Sequence, residues 1–99
     1  MKIPEKLKVG GMHYKIIDNY KFKETELMGQ AVHSQNEIRL SSKDTYNQEY
    51  PQQKKEECFV HEMLHAIDNV YNNSDTEEKV IHRLSQGLYQ VLQDNNFLK

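Results

Sequence analysis

Strand-like alternation in the first forty residues, two amphipathic helical stretches in the second half and a polar break between those stretches predict an α+β fold. The expected architecture is a small antiparallel sheet made from N-terminal hairpins and packed against two antiparallel C-terminal helices. The chain has 99 residues. That is one domain, 1–99, near the lower limit for a self-sufficient core, so a bound metal or a partner would add useful stability.

The first hairpin is read from KLKV and MHYKII on either side of Gly10-Gly11, a two-residue connection suited to a tight turn. Leu7, Val9, Met12, Tyr14 and Ile16 then alternate toward one face. After the polar stretch NYKFKETEL comes a second pair, GQAVH and EIRL, joined through Ser34-Gln35-Asn36, with Ile38 and Leu40 on a common face. SSKDTYNQEY is a polar connector, and Pro51 suits the first turn of a helix because its missing N–H is not needed there. From Gln52 to about Tyr71, Val60, Met63, Leu64, Ile67, Val70 and Tyr71 recur at three- and four-residue steps, which defines an amphipathic helix. NNSD interrupts it. A second helix is expected from about Asp75 to Asp94, with Val80, Ile81, Leu84, Leu88, Val91 and Leu92 inward, ended by Asn95-Asn96.

Composition narrows the function classes. Hydrophobic residues make up 36%, charged residues 28%, and the formal net charge is -2, without the basic excess of a nucleic-acid binder. No segment has the length of a membrane span. The single cysteine, Cys58, has no internal disulfide partner, and MKIPEKLKV lacks the apolar run of a signal peptide, so a reducing cytoplasm is the expected compartment.

The chemistry is concentrated in HEMLH, residues 61 to 65. Residues four apart on a helix lie about 40° apart around the axis, so His61 and His65 can aim one nitrogen each at a single ion. Glu62 is turned about 100° from His61, out of reach as a third ligand but able to take a proton from a water beside the ion. This is the division of labour in a zinc hydrolase, and the pair borders the apolar stripe as a cleft-side site should.

A catalytic zinc usually has a third protein ligand and one open position. On the second helix Glu77 shares the phase of Val80, Ile81, Leu84 and Leu88 and is expected to supply that ligand, whereas Glu78 is turned about 100° away and His82 about 140°. A competing role for Glu77 is a capping box, Ser74-Asp75-Thr76-Glu77. Glu78, His82 and Cys58 remain alternative third ligands, although a lone helical cysteine is more often a small buried hydrophobe. Asp68 is placed either to accept the second ring N–H of a ligating histidine or to be a solvated helix carboxylate. His13 and His33 are read as surface residues, and Tyr14, Tyr71 and Tyr89 as packing residues.

FVHEMLHAIDNV, the downstream EEKVIHRLSQGLYQVLQDN and the preceding NEIRL together resemble the minimal zincin-type metallopeptidases of phages and prophages, similar to the ImmA/IrrE group and more remotely to SprT-like proteins. The resemblance covers roughly residues 28 to 96, and HExxH is its one highly specific element. It implies a minimal zincin-like fold, one zinc held by His61, His65 and Glu77, Glu62 as catalytic base, and an extended peptide paired with a strand near the helix. No histidine stands at position 69, and a separate helix-turn-helix DNA-binding domain of the kind some relatives carry is not expected.

The expected function is therefore a zinc-dependent peptidase that hydrolyses a peptide bond in a protein substrate, with zinc and Glu62 activating water, in the host cytoplasm if phage-encoded. So small a chain leaves little to build deep specificity pockets, so hydrolysis is expected to be slow or partner-dependent. The alternative is a non-catalytic, zinc-stabilised protein-binding module, in which the ion pins helix to helix and its fourth position is closed. Neither nucleic acid nor membrane is an expected partner.

Overall fold

Each N-terminal hairpin forms where alternation places it, and the two then join in a manner that alternation does not specify. The computed structural model describes residues 1–24 and 27–97; residues 25 and 26, within the polar stretch after the first hairpin, lie outside the described residues. The strands are β1 (Lys6–Val9), β2 (Met12–Ile17), β3 (Gly29–Val32) and β4 (Glu37–Leu40), followed by helices α1 (Gln52–Asn72) and α2 (Glu78–Asp94). The fold is α+β, as expected.

The sheet order is β1-β2-β4-β3. β1 pairs antiparallel with β2, and β3 antiparallel with β4. The central pair, β2 and β4, is parallel, with Ile16 opposite Ile38. The sheet is antiparallel, as expected, except at this one seam. A lone two-stranded hairpin is at best marginally stable in water, and joining the two hairpins supplies a wider apolar face. The parallel seam merges the rows Tyr14–Ile16 and Ile38–Leu40 into one apolar face, which α1 covers with Phe59 and Ala66. Met12, at the hairpin tip beyond this cover, remains exposed.

Two glycines fix how closely the sheet approaches α1. Gly10 closes the first hairpin at φ +59, a conformation that penalises L side chains, and a Cβ there would stand 3.0 Å from Val70 Cγ1 and 3.2 Å from the Tyr71 hydroxyl. Gly29 opens β3 against the middle of α1; a Cβ there would collide with Cys58 Sγ and lie 3.2 Å from Glu62 Oε2.

α1 begins directly after Pro51 and ends at Asn73, which takes the left-handed conformation at φ 53 and donates its N–H to the Asp68 carbonyl. α2 folds back antiparallel: Tyr89, late in α2, donates to Glu56, early in α1, at 2.7 Å, while Glu78, at the start of α2, meets His65. α2 starts later than the pattern suggests. Ser74 is also left-handed, at φ 56, and its hydroxyl donates to Asn69 Oδ1, so the capping box weighed as a competing role for Glu77 does not form. Glu77 occupies the N-cap position with extended backbone, and Glu78 is the first helical residue.

The buried line of α2 also differs from the expected stripe. Ile81, Ser85 and Tyr89 are buried, whereas Val80, Leu84 and Val91 are exposed. α2 leans on α1, and the polar anchors Glu78, Ser85 and Tyr89 share one face with Ile81; their bonds to α1 set the rotation. On α1, Ile67 and Tyr71 are likewise exposed, while Glu56, Glu62 and Asp68 are buried.

Candidate metal centre

His61 and His65 project from one face of α1 with their Nε2 atoms 3.2 Å apart. Two ligand nitrogens at neighbouring corners of a tetrahedron, each about 2.0–2.1 Å from its centre, would be separated by about 3.3 Å. The spacing thus fits a shared ion. Glu78 closes the group: its Oε1 lies 2.8 Å from His61 Nε2 and its Oε2 2.7 Å from His65 Nε2. Among the described residues this is the set of three metal-type donors that converges.

The third position falls to Glu78, which corrects the expectation for Glu77. Glu77 has a 71% exposed side chain whose carboxylate sits 3.4 Å from Lys79 Nζ. The helical phase used for Glu77 assumed that it lay inside the helix; at an extended N-cap its side chain leaves in another direction, and Glu78 inherits the inward position. Cys58 and His82 are outside the group. Cys58 is packed under Gly29. The exposed His82 ring sits edge-on to His61 at a centroid distance of 5.7 Å.

Sequence reasoning missed a serine that stands beside His61. Ser85 Oγ donates its one proton to the His82 carbonyl at 2.8 Å. When the His61 ring proton is on Nδ1, the serine oxygen, 3.4 Å away, is its acceptor, and that tautomer frees Nε2 to bind an ion. Burial lowers the His61 pKa, against an opposing pull from Glu78. The 2.8 and 2.7 Å separations from Glu78 are those of ring N–H to carboxylate hydrogen bonds, and exchanging those protons for a divalent ion would leave the same three atoms as its ligands, so the residues present fit such an ion. Ser85 stands seven positions after Glu78, and a polar residue on the buried face of a helix was the available signal.

Glu62 lies beside this group, 6% exposed, with its carboxylate near the Ala31 backbone of β3. Burial pushes its carboxyl up to about 7; the Glu78 charge adds to the rise and the Ala31 backbone opposes it. A carboxyl near neutrality can both take and return a proton. His61, Glu62, His65 and Glu78 share a cavity of about 330 Å³ with Gly29, Ala31 and His33. Ser41 N–H donates to Met28 O at 2.9 Å, which makes Gly29 and Leu40 a non-hydrogen-bonded pair. By alternation, the backbone groups of Gly29 and Ala31 turn away from β4 toward this cavity.

Asp68 does not touch a ring nitrogen. Its carboxylate accepts the Thr76 hydroxyl at 2.6 Å, the Thr76 N–H at 3.2 Å and Asn72 Nδ2 at 2.9 Å, tying the start of α2 to the end of α1. These bonds hold its carboxyl below the usual range. His33 is half-buried and is not a plain surface residue, because its Nδ1 is 3.0 Å from the Tyr14 hydroxyl. Tyr14 and Tyr89 pack as expected, and each also carries a polar bond through its hydroxyl.

No family model, curated protein or solved structure matches this chain. No helix among the described residues is long and apolar enough to cross a membrane.

Proposed function

We propose that the chain is a zinc-dependent peptidase of the minimal zincin type, kin to the ImmA/IrrE group, acting in the cytoplasm on a protein or peptide substrate. The observation that carries this reading is the juxtaposition of the His61–His65–Glu78 donor set with a buried carboxyl, Glu62, at a free strand edge. A zinc ion held there would supply Lewis acidity to a water molecule and to the scissile carbonyl. The outward backbone groups of Gly29 and Ala31 would pair with an extended peptide and hold it in register. Glu62 would take the proton of the attacking water and pass it to the departing amine.

Converging donors are three, and Cys58 and His82 stand apart from them, which favours an open position over a closed one. One observation favours a structural role instead: the donors join α1 to α2, a helix that rests on α1. In that case the ion would stabilise a protein-binding module.

The two are separated by Glu62→Gln, assayed on a degenerate peptide library read by mass spectrometry beside metal analysis of untagged protein. The peptidase reading expects one zinc per chain in both forms and cleavage in the wild type alone. Equal cleavage by the variant sinks the mechanism. Unfolding on chelation, with no cleavage by either form, supports the binding module.

A further inference from the structure

Tyr14, 1% exposed, carries its hydroxyl between two partners: His33 Nδ1 at 3.0 Å and Asn69 Nδ2 at 3.5 Å. The Asn69 amide is oriented by Ser74, whose hydroxyl donates to Asn69 Oδ1 at 3.0 Å, so the amide offers its NH₂ to the tyrosine oxygen. Among the described residues the tyrosine proton then has one acceptor within reach, His33 Nδ1, and a buried hydroxyl without an acceptor would be unfavourable. Tyr14 therefore donates to Nδ1, and a neutral His33 carries its own proton on Nε2. Burial, and next the neighbouring His65, lower the His33 pKa against an opposing effect of Asp68, consistent with a neutral ring. Among the described residues Nε2 takes no protein hydrogen bond, and the ring lines the same cavity as Glu62, His65 and Glu78.

We propose that His33 is a further catalytic residue, whose Nε2–H donates a hydrogen bond to the scissile carbonyl oxygen of a peptide lying along β3. Tyr14 and Asn69 are positioning residues that fix its tautomer. The inference rests on the peptidase reading above. As the carbonyl is attacked its oxygen gains negative charge, and a neutral N–H already aimed at it strengthens its bond without reorganising. The site at the end of β3 suits this role: the histidine follows Val32 directly, at the start of the tight turn His33–Gln35 that leads into β4.

Two measurements test the proposal. Long-range nitrogen–proton NMR correlations on the full chain should show His33 as the Nε2–H tautomer, and Tyr14→Phe should remove that preference. An Nδ1–H tautomer in the wild type overturns the proposal, whatever the enzyme does. Calorimetry of zinc-loaded protein with the phosphinic analogue of acetyl-dialanine amide, whose P–O⁻ imitates the charged oxygen, gives the second. Loss of one hydrogen bond to a charged group should weaken His33→Ala about ten- to a hundredfold. His33→Gln, whose amide can reach the same point, should retain most of the affinity and guards against a folding defect. Equal affinity in wild type and His33→Ala overturns the role of His33 and leaves the peptidase reading standing. A zinc-loaded wild type that fails to bind the phosphinate overturns both.

Discussion

The Thr76 hydroxyl donates to the Asp68 carboxylate at 2.6 Å, two residues before Glu78. This bond crosses from the last turn of α1 to the connection ahead of α2, so the residue that aims the third donor is supplied by the helix that carries the first two. Asp68→Ala should therefore free the connection and weaken zinc binding, by no more than the roughly ten- to hundredfold lost with a partner bonded directly to a ligand. Competition against a chelating dye measures it. Thr76→Val, which keeps the N–H bond to Asp68, should fall between wild type and Asp68→Ala.

The same carboxylate gives a pH dependence with a definite sign. Its folded pKa is depressed by the bonds from Thr76 and Asn72. A depressed carboxyl contributes stability that is complete above its unfolded pKa, near 4, and disappears as pH falls through the folded value. In urea titrations wild type should exceed Asp68→Asn in stability at pH 6, and the gap should close as the solution is acidified below the range of an unfolded carboxyl. A gap independent of pH would show that the carboxylate charge is irrelevant.

Glu77 and Glu78 are adjacent and chemically identical, but they occupy different positions at the helix start. Glu78→Ala should lose about a hundredfold or more in zinc affinity, at least the upper range found for outer-shell partners. Glu77→Ala should bind as wild type does. Metal analysis after dialysis distinguishes them, and the reverse ranking would restore the phase argument from the sequence.

Gly29 is where β3 meets Cys58 and Glu62. An added methyl meets Cys58 Sγ first, so Gly29→Ala should cost about 1–3 kcal/mol, the range for overpacking. The double variant Gly29→Ala/Cys58→Ala should recover part of that loss, since the substitutions share one contact. Chemical denaturation of all four forms closes the cycle, and strict additivity would remove the contact from consideration.

Tyr89 joins the helices far from the metal-type donors. Its hydroxyl donates to buried Glu56, and burial together with that carboxylate pushes the phenol up to about 12. Tyr89→Phe leaves the carboxylate short of a donor and should destabilise the fold by about 1–3 kcal/mol. Because the folded pKa is raised, the stability from this phenol is complete below pH about 10 and is lost as pH rises through about 12. Spectrophotometric titration should show one late-ionising tyrosine that Tyr89→Phe abolishes.

Local periodicity determined a great deal. Alternation in KLKV, MHYKII and EIRL marked the strands and the buried Val9, Tyr14, Ile16, Ile38 and Leu40; the three- and four-residue rhythm marked both helices, and HEMLH placed His61, Glu62 and His65 on one turn. All of these depend on neighbours a few residues apart, whose relation a helix or strand fixes by itself.

What crossed between elements was decided by the tertiary structure. The parallel seam between β2 and β4 depends on which apolar rows fit together under α1. The choice of Glu78 over Glu77 depends on two left-handed residues, Asn73 and Ser74, and on the clamp between Asp68 and Thr76, which together delay the start of α2. The roles of Ser85 and His33 arise from hydrogen bonds to residues 24 and 19 positions away. No repeat along one chain segment encodes such contacts, because the rotation of a helix about its axis is set by the neighbour it packs against.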